Sequence, residues 1–154
     1  MMQRVLLSPA FVLHTRAYRN SSLLVDLLTF QHGRVAVVAR SARGHRSRFQ
    51  GQLQPFVPLL VSYSGRGELK NLSQLELSSK PYSMPGNRIL CGFYVNELLM
   101  RLLLKGESSP RLFQAYEQVL QQLDCGPDIE IALRCFESTV LAELGYGLNF
   151  TAEW

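Results

Sequence analysis

The hydrophobic pattern changes its period between Pro81 and Pro85, and no other feature constrains the chain as strongly. Before that point the apolar residues fall in short segments of strand length. These are Ala10–Thr15, Leu23–Phe30, Arg34–Ser41, Pro55–Tyr63 and Leu69–Leu77, separated by Asn20-Ser21-Ser22, His32-Gly33, an Arg/Gly stretch at 43–51 and Gly65-Arg66-Gly67. After it, apolar residues recur at three-and-four spacing, as helices require. The first helix is expected over Asn87–Lys105 with Gly106 as its stop. Ser109-Pro110 reads as the N-cap and first residue of a second helix, which runs to Cys125-Gly126. Pro127 opens a third, which ends at Gly145. About 70 residues cannot readily cover two sheets, so five short strands with one long basic connection favour a small closed barrel. The expected fold class is therefore α+β with two domains, a five-stranded OB-fold β-barrel over residues 1–80 and a small antiparallel α-helical bundle over 81–154.

Composition narrows the function. With 154 residues, 47% of them apolar and 18% charged, the chain can bury a sizeable core and has neither a disordered nor a fibrous profile. No apolar run reaches the length of about 18 residues that crosses a bilayer, and the start lacks a signal-peptide core, so a cytoplasmic, nucleoid-associated protein is expected. Cys91, Cys125 and Cys135 form no C-x-x-C pair and are read as buried thiols. His14, His32 and His45 have no Cys or carboxylate at metal-like or triad-like spacing. Neither Gly-x-Gly-x-x-Gly nor a P-loop occurs. No enzyme activity, metal or cofactor is expected.

Charge is divided unevenly. Residues 1–80 hold eleven Lys/Arg against three acids, a net +8, whereas residues 81–154 hold five against nine, a net −4. The sign reversal suggests a front module facing a polyanion and a rear module facing protein. The sharpest feature is Arg40-Ser-Ala-Arg43-Gly-His45-Arg46-Ser-Arg48-Phe49-Gln-Gly51. Together with Arg34 it offers five arginines and a histidine, with no acid between Asp26 and Glu68. A solvated loop usually mixes signs, whereas Arg with Ser and Gly presents guanidinium forks, hydroxyls and backbone N–H groups to phosphate oxygens. Arg66 and Lys70 either extend this cationic track or simply belong to a hairpin. Arg16 and Arg19 stand in the same position, with Tyr18 either a base-stacking platform or a strand-end core residue. Arg134, between Leu133 and Phe136 on an apolar stripe, pairs with a helix carboxylate such as Asp128, Glu130 or Glu137, or receives an acidic peptide with hydrophobic ends.

Eight blocks in register resemble one family. They are Ala10-Phe-Val-Leu-His-Thr-Arg16, Ser22-Leu-Leu-Val-Asp26-Leu, His32-Gly-Arg-Val35, Val38-Ala-Arg-Ser-Ala-Arg43, Gln52-Leu-Gln-Pro-Phe-Val-Pro-Leu-Leu60, Gly65-Arg-Gly-Glu-Leu69, Tyr94-Val-Asn-Glu-Leu-Leu99 and Leu133-Arg-Cys-Phe-Glu137 with Leu144-Gly-Tyr-Gly147. On these blocks the chain resembles the bacterial RecO family of DNA-repair and recombination mediators. The resemblance implies non-catalytic binding of single- and double-stranded DNA, annealing of complementary strands, and help in loading RecA onto strands coated by the single-stranded DNA-binding protein, SSB. It also implies RecR as a partner and recognition of the SSB C-terminal tail, for which Arg134, Leu133 and Phe136 are the candidates. Under it the nucleic-acid site comprises Arg16, Arg34, Arg40, Arg43, His45, Arg46, Arg48, Arg66 and Lys70. A protein-interaction adaptor is the alternative, its helical groove binding an acidic peptide and its basic loop docking an acidic protein. Many members carry a cysteine-rich zinc motif that has no counterpart here. Members also usually continue past the Leu-Gly-Tyr-Gly block, so the helical part is expected to be incomplete relative to the family.

Overall fold

The first strand is the longest element of the fold, because it pairs on both of its edges. The structure, a computed structural model, describes residues 2–44, 47, 49 and 51–145. Its elements are β1 (Gln3–Tyr18), β2 (Ser22–Thr29), β3 (Gly33–Ala39), β4 (Leu59–Gly65), β5 (Leu69–Leu77), α1 (Arg88–Leu102), α2 (Pro110–Cys125) and α3 (Ile129–Glu143). Ala10 to Tyr18 of β1 pair with β2, while Gln3 to Val5 and Ser8 to Ala10 pair with β4. The break between Val5 and Ser8 is a bulge at which Leu7 takes a φ of 47° and donates its N–H to Ser62 Oγ at 2.9 Å. Such an irregularity bends a strand enough to serve two neighbours. It also explains why β1 begins seven residues before the segment expected from alternation: Leu6 and Leu7 break the period of two.

The strands follow the order β1-β2-β3-β5-β4, and β4 returns to β1 to close the ring. The sheet is mixed. Four joints are antiparallel, and the β3–β5 joint is parallel, with only Ala36 to Val38 registered against Leu69 to Asn71. Val12, Val25, Leu27, Val37, Leu59, Val61 and Tyr63 fill the interior and are essentially sealed from solvent. On β1 the alternate residues Phe11 and Leu13 point outward, as does Leu28 on β2, and these are equally buried.

What buries them is the helical layer. Phe11, Leu13 and Leu28 share one cluster with Val95 and Leu99 of α1, Leu112, Phe113, Tyr116 and Leu120 of α2, and Phe136 and Val140 of α3. The Phe11 ring lies 5.0 Å from Tyr116 and 5.6 Å from Phe113. A buried polar link crosses the same boundary: Asn96 Nδ2 donates to the Leu13 carbonyl at 3.3 Å, and the Tyr116 hydroxyl donates to Asn96 Oδ1 at 2.5 Å. Burial holds the Tyr116 phenol well above its ordinary pKa. Gly92 brings α1 close, since a Cβ there would lie 2.8 Å from the Phe56 ring. The expected fold class is corrected accordingly. The five strands do close, but in place of a barrel followed by a self-contained antiparallel bundle there is one mixed, closed five-stranded sheet whose outer face shares its core with the three helices. The physical reason is that β1 and β2 are apolar on both faces at one end, and only the helices can cover the outer one.

The helix termini follow the chain's punctuation. Ser109 Oγ accepts from Leu112 N at 3.1 Å with Pro110 just inside the helix, and Asp128 Oδ1 accepts from Ile131 N at 3.1 Å. Gly145, at φ 85°, follows α3. The cysteines depart from expectation: Cys125 and Cys135 are exposed and Cys91 is half-buried. Cys91 packs against the edge of the shared core, and Cys135 lines a groove between α2 and α3.

Candidate nucleic-acid interface

The helical layer covers only one end of the outer barrel face. Along β1, Phe11 and Leu13 lie beneath it, whereas Arg16 is exposed and Tyr18 half-buried. Along β3, Arg34 lies at the covered end, and Arg40, just past the strand, is exposed. The register places Arg16 opposite Leu24 and Tyr18 opposite Ser22, with Leu24 in turn opposite Val38. The open end therefore runs continuously across β1, β2 and β3 to the parallel joint with β5.

A cleft of about 390 Å³ occupies that open end, lined by Tyr18, Arg19, Ser22, Arg40, Lys70 and Asn71 among others. Among the described residues, three cations and no carboxylate line it. Arg19, held at φ 54° in the β1–β2 turn, places its guanidinium carbon 5.2 Å from the centre of the Tyr18 ring. Ser22 and Asn71 add hydrogen-bonding groups. Lys70 donates to the Gly65 carbonyl at 3.2 Å, which steadies its ammonium at the rim.

The remaining expected site residues divide by position. Arg43 donates through Nε to the Ser22 carbonyl at 3.0 Å and through Nη2 to the Arg19 carbonyl at 2.7 Å. It clips the start of the basic loop to the β1–β2 turn and so shapes the cleft wall. Phe49, buried in the barrel cluster, anchors the loop farther along. His45, Arg46 and Arg48 lie outside the described residues. Arg66 is exposed at the β4–β5 hairpin tip.

Arg34 departs from the expected phosphate-binding role. Its Nη1 donates to the carbonyls of Met100 at 2.9 Å and Leu103 at 3.0 Å, and its Nη2 meets Asp26 Oδ1 at 3.4 Å. It ties the barrel to the end of α1. Asp26 is the sole acid of residues 1–67, and Arg34 takes it. Among the described residues, no other cation before Pro81 has a carboxylate within ion-pair distance. A signal for this existed in the sequence, because a lone carboxylate inside the apolar run of β2 requires a cation. Which cation answers depends on carbonyls more than sixty residues away.

The residues expected to receive a peptide separate. Arg134 Nη1 pairs with Glu137 Oε1 at 2.5 Å, and Glu137 Oε2 accepts from the Tyr94 hydroxyl. That hydrogen bond raises the Tyr94 pKa. Leu133 is half-buried. Phe136, buried, instead lines a groove of about 470 Å³ between α2 and α3 with Val119, Ile131 and Cys135, and Arg134 does not line it. Among the described residues no group of three or more potential ligands is placed to hold a metal ion, and no helix is long and apolar enough to cross a membrane.

Comparison with known proteins bears on both halves. The family model described as Recombination protein O N terminal matches residues 2–81, and that described as Recombination protein O C terminal matches residues 86–153. A protein of Coxiella burnetii (strain CbuG_Q212) named DNA repair protein RecO is 51% identical over 153 residues, covering 99% of this chain and 66% of that relative. Proteins of the same name from Methylococcus capsulatus and Erwinia tasmaniensis are 50% and 49% identical, covering 97% and 92% of this chain. The chain spans 66%, 62% and 58% of the lengths of these three relatives, respectively.

Proposed function

The chain belongs to the RecO family of DNA repair proteins, and from that premise we propose that its open barrel face holds the phosphodiester backbone of DNA without doing covalent chemistry. The observation that carries this reading is the cleft at Tyr18, Arg19, Arg40 and Lys70, which among the described residues gathers three cations beside an aromatic ring with no carboxylate in the lining. Phosphate oxygens accept from guanidinium and ammonium groups, while bases stack on Tyr18 or on an arginine plane. Arg16 and Arg66 flank this track, and Arg43 builds its wall. Such contacts neutralise the backbone and leave base edges free, so two strands held this way repel less and still select one another by Watson–Crick pairing. That is the physical requirement for annealing. Single- and double-stranded DNA are the substrates of this reading. Loading of RecA onto SSB-coated strands, with RecR and the SSB tail as partners, is the wider role that family membership supports.

A fluorescence titration with single-stranded and duplex oligonucleotides at several salt concentrations tests it. Engagement of about four to six phosphates of a single strand gives a slope of log affinity against log salt of roughly −3 to −4. A flat salt response removes the proposal.

A further inference from the structure

The cationic surface does not end at the barrel cleft. A second cavity of about 250 Å³ lies where β3, the β4–β5 hairpin and the segment after α1 meet, and His32, Arg34, Lys70, Lys105 and Glu68 line it. Lys70 lines both cavities, so the two share a wall. At the second one, the Arg34 Nε–H is buried and has no hydrogen-bond acceptor among the described residues.

Lys105 belongs to the helical half, yet its backbone is fixed to the barrel. It forms a parallel bridge with Arg34, and Gly106 N donates to the Arg34 carbonyl at 2.9 Å. Gly33 closes the joint from the other side: at φ 64°, a Cβ there would stand 1.8 Å from the Glu107 carbonyl oxygen, so only glycine fits. Lys105 is exposed, and its clamped backbone roots the side chain at the barrel rim, where it lines the second cavity.

Building on the DNA-binding reading above, we infer that the cavity at His32, Lys70 and Lys105 is a second phosphate subsite, so that a single strand runs from the Tyr18–Arg40 cleft over Lys70 onto the helical half. Arg34 and Arg40 are separated by six steps of β3, or about 20 Å, which corresponds to roughly six stacked nucleotides at 3.4 Å each. A short strand therefore fills one subsite and a long strand both. Glu68 is the one carboxylate among the described residues of the lining and opposes the ligand.

The test compares dT4 with dT20 on the full chain. Lys105→Gln should reduce the salt slope for dT20 by about 0.7, the share of one single-strand phosphate, and lower dT20 affinity severalfold while leaving dT4 unchanged. Glu68→Gln should raise dT20 affinity. Arg40→Ala is the control and should weaken both lengths. If Arg40→Ala weakens binding but Lys105→Gln and Glu68→Gln change neither length, the second subsite is overturned and the cleft stands. If Arg40→Ala also has no effect, the underlying DNA-binding reading falls with it. Equal loss for dT4 and dT20 in Lys105→Gln overturns the two-subsite path.

Discussion

Arg34 and Arg40 mark the two ends of strand β3, and their sequence neighbourhoods look alike: each adjoins a valine-rich run and each belongs to the same basic stretch. One is a strut. It meets Asp26 and two carbonyls at the end of α1, and its side chain retains 15% of its exposure. The other opens onto a cleft with no acid among the described residues of its lining. The difference comes from the helical layer, which covers the face above Phe11 and Leu28 and stops short of Tyr18 and Arg40. A guanidinium under that layer must find internal acceptors, because burying an unpaired charge is costly, whereas one beyond it remains hydrated and available to an outside anion. The covering thus decides which arginines serve the fold and which serve a ligand.

The comparison can be broken most forcefully at Arg34. Arg34→Ala leaves Asp26 and the Met100 and Leu103 carbonyls without their partner and should cost about 2–4 kcal/mol by urea unfolding. Unchanged stability would mean that the covered end does not depend on its strut. Asn96→Ala acts deeper on the same side, stranding the Tyr116 hydroxyl and the Leu13 carbonyl, with an expected loss of about 2 kcal/mol. Tyr116 adds a pH signature. Its folded-state pKa is raised, so its contribution is complete below the unfolded value near 10 and is lost as pH rises through the folded one, a decline that Tyr116→Phe should lessen, the remainder coming from Tyr63, Tyr82 and Tyr94, whose phenols are raised as well. At the open end the effects should move from stability to binding. Arg19→Ala with Arg40→Ala should weaken single-strand affinity about tenfold at low salt, near 1.4 kcal/mol, with the melting temperature unchanged. Arg134→Ala is the smallest change, under about 0.5 kcal/mol in stability, because its ion pair with Glu137 is exposed.

Much of the fold was legible because it rests on local rules. Ser109-Pro110 announces a cap and a first turn, and the β2 and β3 segments show strand composition between turn residues. The length of β1 was not legible, since a bulge at Leu7 interrupts the alternation on which such reading depends. The union of sheet and helices was hidden for another reason. Phe11, Leu13 and Leu28 are apolar on the outer face, but only tertiary packing shows that α1 and α2 meet them. At the site, the density of arginines was plain, and their division was not. Arg43 turns to backbone carbonyls, Arg34 turns to the helices, and Lys105 joins the barrel rim through a backbone bridge that has no local motif.

Hydrogen–deuterium exchange of the full chain with and without dT20 is the most direct test of the central claim, that the uncovered end of the barrel face is where DNA lies. The account predicts slower exchange on DNA binding at residues 18–22, 38–44 and 69–71, with the α2–α3 groove unchanged. Slower exchange confined to α2 and α3, with the β1–β2 turn and the end of β3 unaffected, would contradict it.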